Sequence, residues 1–432
     1  MKNLYAFLFS VIVFGFGQNA FAQIPNLNSN TGSAFVLYID MDGHTDNSGW
    51  WGGGQVVASA PGYNTSQATE VFNRVAEDFR PFDINVTTSQ AVYDAASVAN
   101  RQRVVVTPTD GWYNTGGTSA GGVAYLNTFG GGEIACWVFN NKLGNIPNVA
   151  EAASHELGHT LGLNHHARYN SDCTKNTEYH SGQGSGQTSW GPLMGTGYGR
   201  IISLWYHGAA NSSLCTSNIQ DDLKVITTNN GFNYKVDDVG NTLPTATVLP
   251  LTSGSGSITR IITTTADVDV FWIAISSAGV YRISGVPFSH NTTTYSGANL
   301  DVKISLQNSS GTVMAVADPI EELPASLDIF LASGDYYITV DGSGSPNYIA
   351  IGGVGSEDYG SLGQYTLSVS PQSCTAAVAS TTPNGRCGTG TVTLNAIPAA
   401  GSTLSWFSTA TGGTALGSGN SYTTPSISAS TT

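Results

Sequence analysis

Apolar residues change their period repeatedly along the first half of the chain, and each change predicts an element. Phe35-Val36-Leu37-Tyr38-Ile39 is an apolar run of strand length. Val71, Phe72, Val75 and Phe79 recur at helical spacing and predict a helix over residues 66–79. Strands are expected over 84–88, 103–107, 123–129 and 135–139. A second helix is expected from Asn148, read as an N-cap, with Glu151 three positions on as in a capping box. The order strand, helix, four strands, helix predicts a mixed, mostly parallel sheet with this last helix packed on it. Between His165 and about Ser203 the pattern dissolves into Gly, Ser and Asn, and so long an irregular segment reads as functional. One more helix is expected over 218–227, with Ile219, Leu223 and Ile226 on one side.

From about Val236 the texture becomes short alternating stretches, among them 270–275, 280–283, 302–306 and 336–340. Regular spacing with turn residues between them predicts an antiparallel β-sandwich. A third segment starts near Cys374 and includes strand-like 390–394 and 403–407. About 60 residues remain there, fewer than the roughly 100 of a complete sandwich, so this module is expected to be incomplete or the chain a fragment. At the other end Lys2, the apolar run 4–16 and Ala20-Phe21-Ala22 before Gln23 form an export signal. That run is too short to span a bilayer, and no later segment has about 20 continuous apolar residues. The expected organisation is multidomain: a signal over 1–22, an α/β domain over 23–233, an all-β sandwich over 234–372 and a further β module over 373–432.

Charged residues make up 10% of the chain, against about 25% in ordinary globular proteins, which fits an extracellular β-rich protein with neutral polar surfaces. A net charge of −14 argues against nucleic acid as a partner. It suits divalent cations, and the pairs Asp40/Asp42, Asp78/Asp83, Asp237/Asp238 and Asp267/Asp269 are candidates for structural calcium. Five cysteines fit an oxidising compartment. Cys374 and Cys387 are expected to pair. Of Cys136, Cys173 and Cys215, the pairing Cys173–Cys215 is favoured because both lie in the loop-rich region.

Candidate chemistry concentrates in residues 155–165, His-Glu-Leu-Gly-His-Thr-Leu-Gly-Leu-Asn-His. On a helix His155 and His159 share one face and can reach a single metal ion. Gly162 permits a sharp turn that brings His165 round as a third nitrogen ligand. Three protein ligands on zinc leave a fourth position for water, the arrangement of a catalytic site. Glu156, beside the first ligand, is placed to take a proton from that water. Three of eight histidines at this spacing, with the glycine, are a specific signal.

This stretch resembles the metzincin zinc endopeptidases, whose pattern has these histidines, the glutamate and the glycine at the same spacing. The resemblance covers roughly residues 34–232 and is closest to reprolysin-like secreted bacterial enzymes. Gly191-Pro192-Leu193-Met194-Gly195 matches the methionine turn of that family and implies that Met194 lies beneath the metal. Where some metzincins carry a tyrosine two positions after the methionine, this chain has Thr196; Tyr198 is the nearest candidate for a metal or oxyanion contact. His166, following the third ligand, matches no well-known family. The interval before the first strand has no room for a folded propeptide and no cysteine to block a metal, so the enzyme is expected to be active once folded. Residues 237–370 resemble the pre-peptidase C-terminal domain of secreted bacterial proteases, through Asp238-Val239-Gly240-Asn241-Thr242, Asp267-Val268-Asp269-Val270-Phe271, Asn299-Leu300-Asp301 and 360–365. The last 60 residues resemble a truncated immunoglobulin-like adhesive module.

Together these imply a secreted zinc-dependent endopeptidase acting on extracellular proteins or peptides, with Glu156 as general base. Its substrate is expected to lie extended along an edge strand at 122–129. Polysaccharide or cell surface would be further partners of the β domains. The alternative is an adhesive or carbohydrate-binding secreted protein that retains a protease-like domain; the intact Glu156 argues against it.

Overall fold

The computed structural model describes residues 24–429 apart from 116–118, 171, 210–218, 345–357, 373–377, 399–401 and 409–414. The expected export signal, Cys215, Asn218 and Cys374 lie outside the described residues. The chain forms two compact units, Met1–Ser370 and Pro371–Thr432.

The first unit begins with an α/β layer. Its elements are β1 (Val36–Asp40), α1 (Thr65–Asp78), β2 (Asn85–Thr87), β3 (Arg101–Thr107), β4 (Gly122–Val123), β5 (Cys136–Phe139) and α2 (Ile146–Thr160). The strands form a sheet in the order β2-β1-β3-β5-β4. Every pairing is parallel except that of β4 with β5, so the sheet is mixed and mostly parallel, as the element order implied. Alternation sends Leu37, Ile39, Val104, Val106 and Val138 into one core cluster with the apolar faces of α1 and α2. Val105, Trp137 and Phe139 point the other way, against Trp51.

The helix starts differ from the sequence reading for local reasons. The α2 N-cap is Asn145, not Asn148: the Asn145 side chain accepts from Asn148 N, and Pro147 is preset for a first turn. Asn148 instead turns its amide onto Leu143 O (2.8 Å). The expected strand 123–129 shortens to β4, because beyond Tyr125 the backbone turns to the end of α2. There Asn127 N donates to His159 O (3.1 Å) and Phe129 N to Thr160 O (3.0 Å). The last helix of this layer, α3 (Asp222–Asn229), starts later than expected because the Asp221 carboxylate caps it through Lys224 N.

Two further sheets follow. One has the order β6-β8-β13-β10-β11, formed by β6 (Thr247–Val248), β8 (Asp269–Ile275), β13 (Gly334–Gly342), β10 (Val302–Asn308) and β11 (Val313–Ala317). The other has the order β7-β14-β9-β12, formed by β7 (Gly256–Ile262), β14 (Gly363–Gln372), β9 (Gly279–Pro287) and β12 (Ala325–Leu331). Their alternating buried positions belong to the same continuous core cluster as the α/β layer. Polar bonds add to that union. Asp78 on α1 accepts from Asn299 Nδ2 (2.9 Å), Glu77 Oε1 accepts from Gln364 N (2.8 Å), and Tyr359 OH donates to Asp221 Oδ1 (2.7 Å).

The second unit has a three-stranded sheet of Val378–Thr382, Thr393–Pro398 and Ser421–Thr423, plus a short pair, Ser405–Trp406 with Gly417–Ser418. Cys387 lies in an exposed stretch and is free, so the expected Cys374–Cys387 bridge is not formed. Cys136 is buried and free, whereas Cys173 is disulfide-bonded. Among the described residues no helix is long and apolar enough to cross a membrane.

Candidate metal centre

Helix α2 carries His155, Glu156 and His159, and its end decides where His165 goes. Gly162 has φ +102°, and a Cβ there would stand 2.5 Å from Asn127 Oδ1, so both conformation and space require glycine. Its N–H donates to His159 O (2.9 Å) and Leu163 N to Gly158 O (3.0 Å), closing the helix and reversing the chain. His165 returns to the α2 face, and one nitrogen of each of His155, His159 and His165 lies within 4.8 Å of the others.

The second nitrogens show which atoms converge. His155 Nδ1 meets Leu193 O at 2.6 Å and His159 Nδ1 meets Leu163 O at 2.7 Å. A carbonyl only accepts, so both Nδ1 atoms carry the proton and both Nε2 atoms present lone pairs. His159 Nε2 and His165 Nε2 are 2.9 Å apart. Three imidazole nitrogens gathered this closely, two of the rings oriented through Nδ1 by backbone carbonyls, are a donor set that fits a nitrogen-preferring metal such as zinc. Burial holds His155 well below the usual histidine range, helped by His159 and His165, and brings His165 down to about 4. Both effects keep the imidazoles neutral and able to ligate.

Glu156 is 6% exposed, and burial pushes its carboxyl well above the usual range. It packs against β4: a Cβ on Gly122 would lie 2.5 Å from Glu156 Oε1. Beneath the helix Met194 is fully buried, with its sulfur 2.5 Å from the place a Gly158 Cβ would take. The turn at 193–195 thus supports the histidines directly, since Leu193 O orients His155 and Met194 O accepts from His166 N (2.7 Å).

His166 points away from the three ligands. It is fully buried with Nε2 2.9 Å from Asp222 Oδ1, while Asp222 Oδ2 accepts from Tyr206 N (2.9 Å). The pair ties α3 to the centre. Tyr198 is 43% exposed and borders β4, with its hydroxyl 3.6 Å from where a Gly121 Cβ would be. A phenol that sequence reasoning missed stands against the histidines: the Tyr179 ring lies 4.5 Å from that of His165 and 6.5 Å from that of His155. Tyr179 is fixed by its neighbour His180, whose N–H donates to His166 O (2.7 Å) and whose O accepts from Thr196 N (3.0 Å). No local pattern marks Tyr179, because its position depends on the fold of the irregular segment.

The candidate carboxylate pairs separate. Asp40 is buried against Arg103, whose charge disfavours a cation there. Asp78 bonds Ser154 and Asn299, whereas Asp83 accepts from Asn30 Nδ2 (3.0 Å). Asp237, Asp267 and Asp269 do come together, each offering an oxygen within 4.8 Å of the others. In this group Asp267 Oδ1 and Asp269 Oδ1 are buried without a hydrogen-bond partner.

Residues 371–432 match the model of the Ig-like domain, CHU_C associated, in agreement with an immunoglobulin-like last module. No curated protein matches the chain. Among solved structures, the pre-peptidase C-terminal domain of collagenase from Bacillus anthracis is similar at 17% identity, covering 29% of this chain and 94% of that one, with a TM-score of 0.21. PliG of Aeromonas hydrophila, a periplasmic inhibitor of g-type lysozyme, is similar at 15% identity, covering 29% and 96%, with a TM-score of 0.19. The CBM35 of Abf62 from Cellvibrio japonicus is similar at 11% identity, covering 32% and 81%, with a TM-score of 0.15. The chain is multidomain and mostly β, and its last module is similar to an Ig-like domain, CHU_C associated.

Proposed function

We propose that this chain is a secreted zinc-dependent endopeptidase of the metzincin type. The observation that carries the reading is the convergence of three neutral imidazoles beside the buried Glu156, at the edge of a sheet. His155, His159 and His165 would hold the metal. Zinc held there supplies a Lewis acid that polarises the scissile carbonyl and makes water acidic enough to deprotonate near neutral pH. Glu156 takes the proton from the attacking water and returns it to the leaving amine. Tyr179, beside His165, is the donor for the charge that develops on the carbonyl oxygen. Main-chain groups of β4 hold the substrate as an added strand.

The test is casein digestion by the zinc-loaded protein with and without a zinc chelator, beside Glu156→Gln. The expected result is chelator-sensitive digestion and a variant that binds one zinc but is slower by about 10²–10⁴-fold. An active Glu156→Gln protein with bound zinc would overturn the mechanism.

Calcium enters the proposal at Asp237, Asp267 and Asp269. Two buried carboxylate oxygens without a hydrogen are costly, and a hard cation with oxygen ligands compensates them.

A further inference from the structure

Beside β4 lies an aromatic shelf that the proposed chemistry does not use. A hairpin of His44–Asp46 with Val56–Ala58 carries a loop over this edge of the sheet. Trp51 anchors it: the residue is 4% exposed, its Nε1 donates to Ala135 O (2.9 Å), and its ring is 4.4 Å from that of Tyr125. Its neighbour Trp50 stays 56% exposed, edge-on to Tyr125 at 5.5 Å, and the Tyr125 hydroxyl donates to Trp50 O (3.1 Å). Leu126 beside them is also exposed. A single exposed tryptophan is ordinary, but here two exposed aromatics are in ring contact and hydrogen-bonded in place. Rigid aromatics lose little conformational entropy when they bind.

The shelf is continuous with the candidate centre. Gly122 abuts Glu156, and five residues later Asn127 N donates to His159 O (3.1 Å), so the segment bearing Tyr125 and Leu126 runs from Glu156 to the C-terminal end of α2. A peptide added to β4 pairs more stably in the antiparallel sense. With its reacting carbonyl beside Glu156 and Gly122, its preceding residues then face Val123, Ala124 and Tyr125. At one residue per position along the strand, Ala124 then stands opposite the third residue before the cleaved bond and Tyr125 opposite the fourth.

We propose that Trp50, Tyr125 and Leu126 form a substrate subsite for a large apolar or aromatic side chain at the third or fourth residue on the N-terminal side of the cleaved bond. The inference rests on the endopeptidase reading. Nothing in the local sequence signals it, since Trp50 and Tyr125 meet only through the hairpin.

The test is cleavage-site profiling of the full chain, zinc-loaded, on a denatured-proteome peptide library, beside Trp50→Ala and Leu126→Ala. Both residues are exposed, so neither change empties the core. The expected wild-type profile is enriched in Phe, Tyr, Trp or Leu at those upstream positions. In Trp50→Ala the enrichment disappears, and kcat/KM falls about tenfold or more on a peptide with Phe there, but not on its Ala counterpart. A flat upstream profile, or an enrichment that survives both variants, overturns the subsite. So does retardation in a polysaccharide-containing gel that Trp50→Ala abolishes, which would assign the shelf to carbohydrate. Failure of the underlying reading looks different: no zinc-dependent cleavage of any peptide.

Discussion

Gly122 and Glu156 are in such close approach that glycine is the only residue β4 can carry there. A Cβ would stand 2.5 Å from Glu156 Oε1, 2.8 Å from its Cγ and 2.8 Å from Trp137 O. The carboxylate could swing aside, but the backbone oxygen belongs to the sheet and cannot. Gly122→Ala is therefore expected to displace Glu156 or β4 while leaving the histidines in place. Since about 1 Å of misplacement can cost about 10²-fold, kcat should fall by that order with zinc content unchanged. Steady-state kinetics with metal analysis check this; wild-type kcat in the alanine variant would refute the packing argument.

Met194 and Gly158 give a second test. Met194→Leu conserves volume and is expected to cost less than about 1.5 kcal/mol. Gly158→Ala drives a methyl group into the Met194 sulfur against a fully buried turn, and is expected to destabilise more and to weaken zinc binding. Chemical denaturation with zinc titration separates the two.

His166 is expected to matter for stability and not for ligation. It and Asp222 are both fully buried and hydrogen-bonded, and leaving such a buried polar group without its partner costs about 1–3 kcal/mol or more. His166→Ala should lower the unfolding midpoint while still binding one zinc. Loss of the metal from a folded variant would make His166 part of the site.

Calcium should stabilise the first unit through Asp237, Asp267 and Asp269. In chelator-stripped protein, millimolar calcium is expected to raise the Tm by about 2–4 °C or more, and Asp267→Asn with Asp269→Asn to abolish the rise. An equal rise in the double variant would place the ion elsewhere.

Stability should also fall with rising pH. Burial raises Glu151 to about 8, aided by the nearby Asp78, and burial raises Asp78 to about 7. The folded protein therefore holds protons that the unfolded chain releases near pH 4. Their stabilising effect is full below that pH and is lost as pH rises through about 7 to 8. Glu151→Gln should flatten this part of the profile, read as Tm at pH 5, 7 and 9.

Much was legible because it is local. Helical spacing places His155 and His159 together whatever surrounds them, and positive φ at a helix end calls for a glycine such as Gly162. Alternation and element order sufficed for the mostly parallel sheet and for the β-rich second half. Helix ends were less legible, since Asn145 and Asn148 are both competent caps and the turn at 143–145 chooses between them.

The chain by itself thus determined the histidine triplet, the adjacent glutamate and the periodicities of the layers, because each depends on residues within a few turns of one another. Tertiary structure decided which tyrosine stands against His165, that His166 belongs to Asp222, that Gly122 faces Glu156, and that Asp237 joins Asp267 and Asp269 while Asp40 joins Arg103. Apart from Asp267 with Asp269, each of these joins residues between 14 and 63 positions apart, and such contacts follow from how layers pack, which no local pattern of side chains encodes.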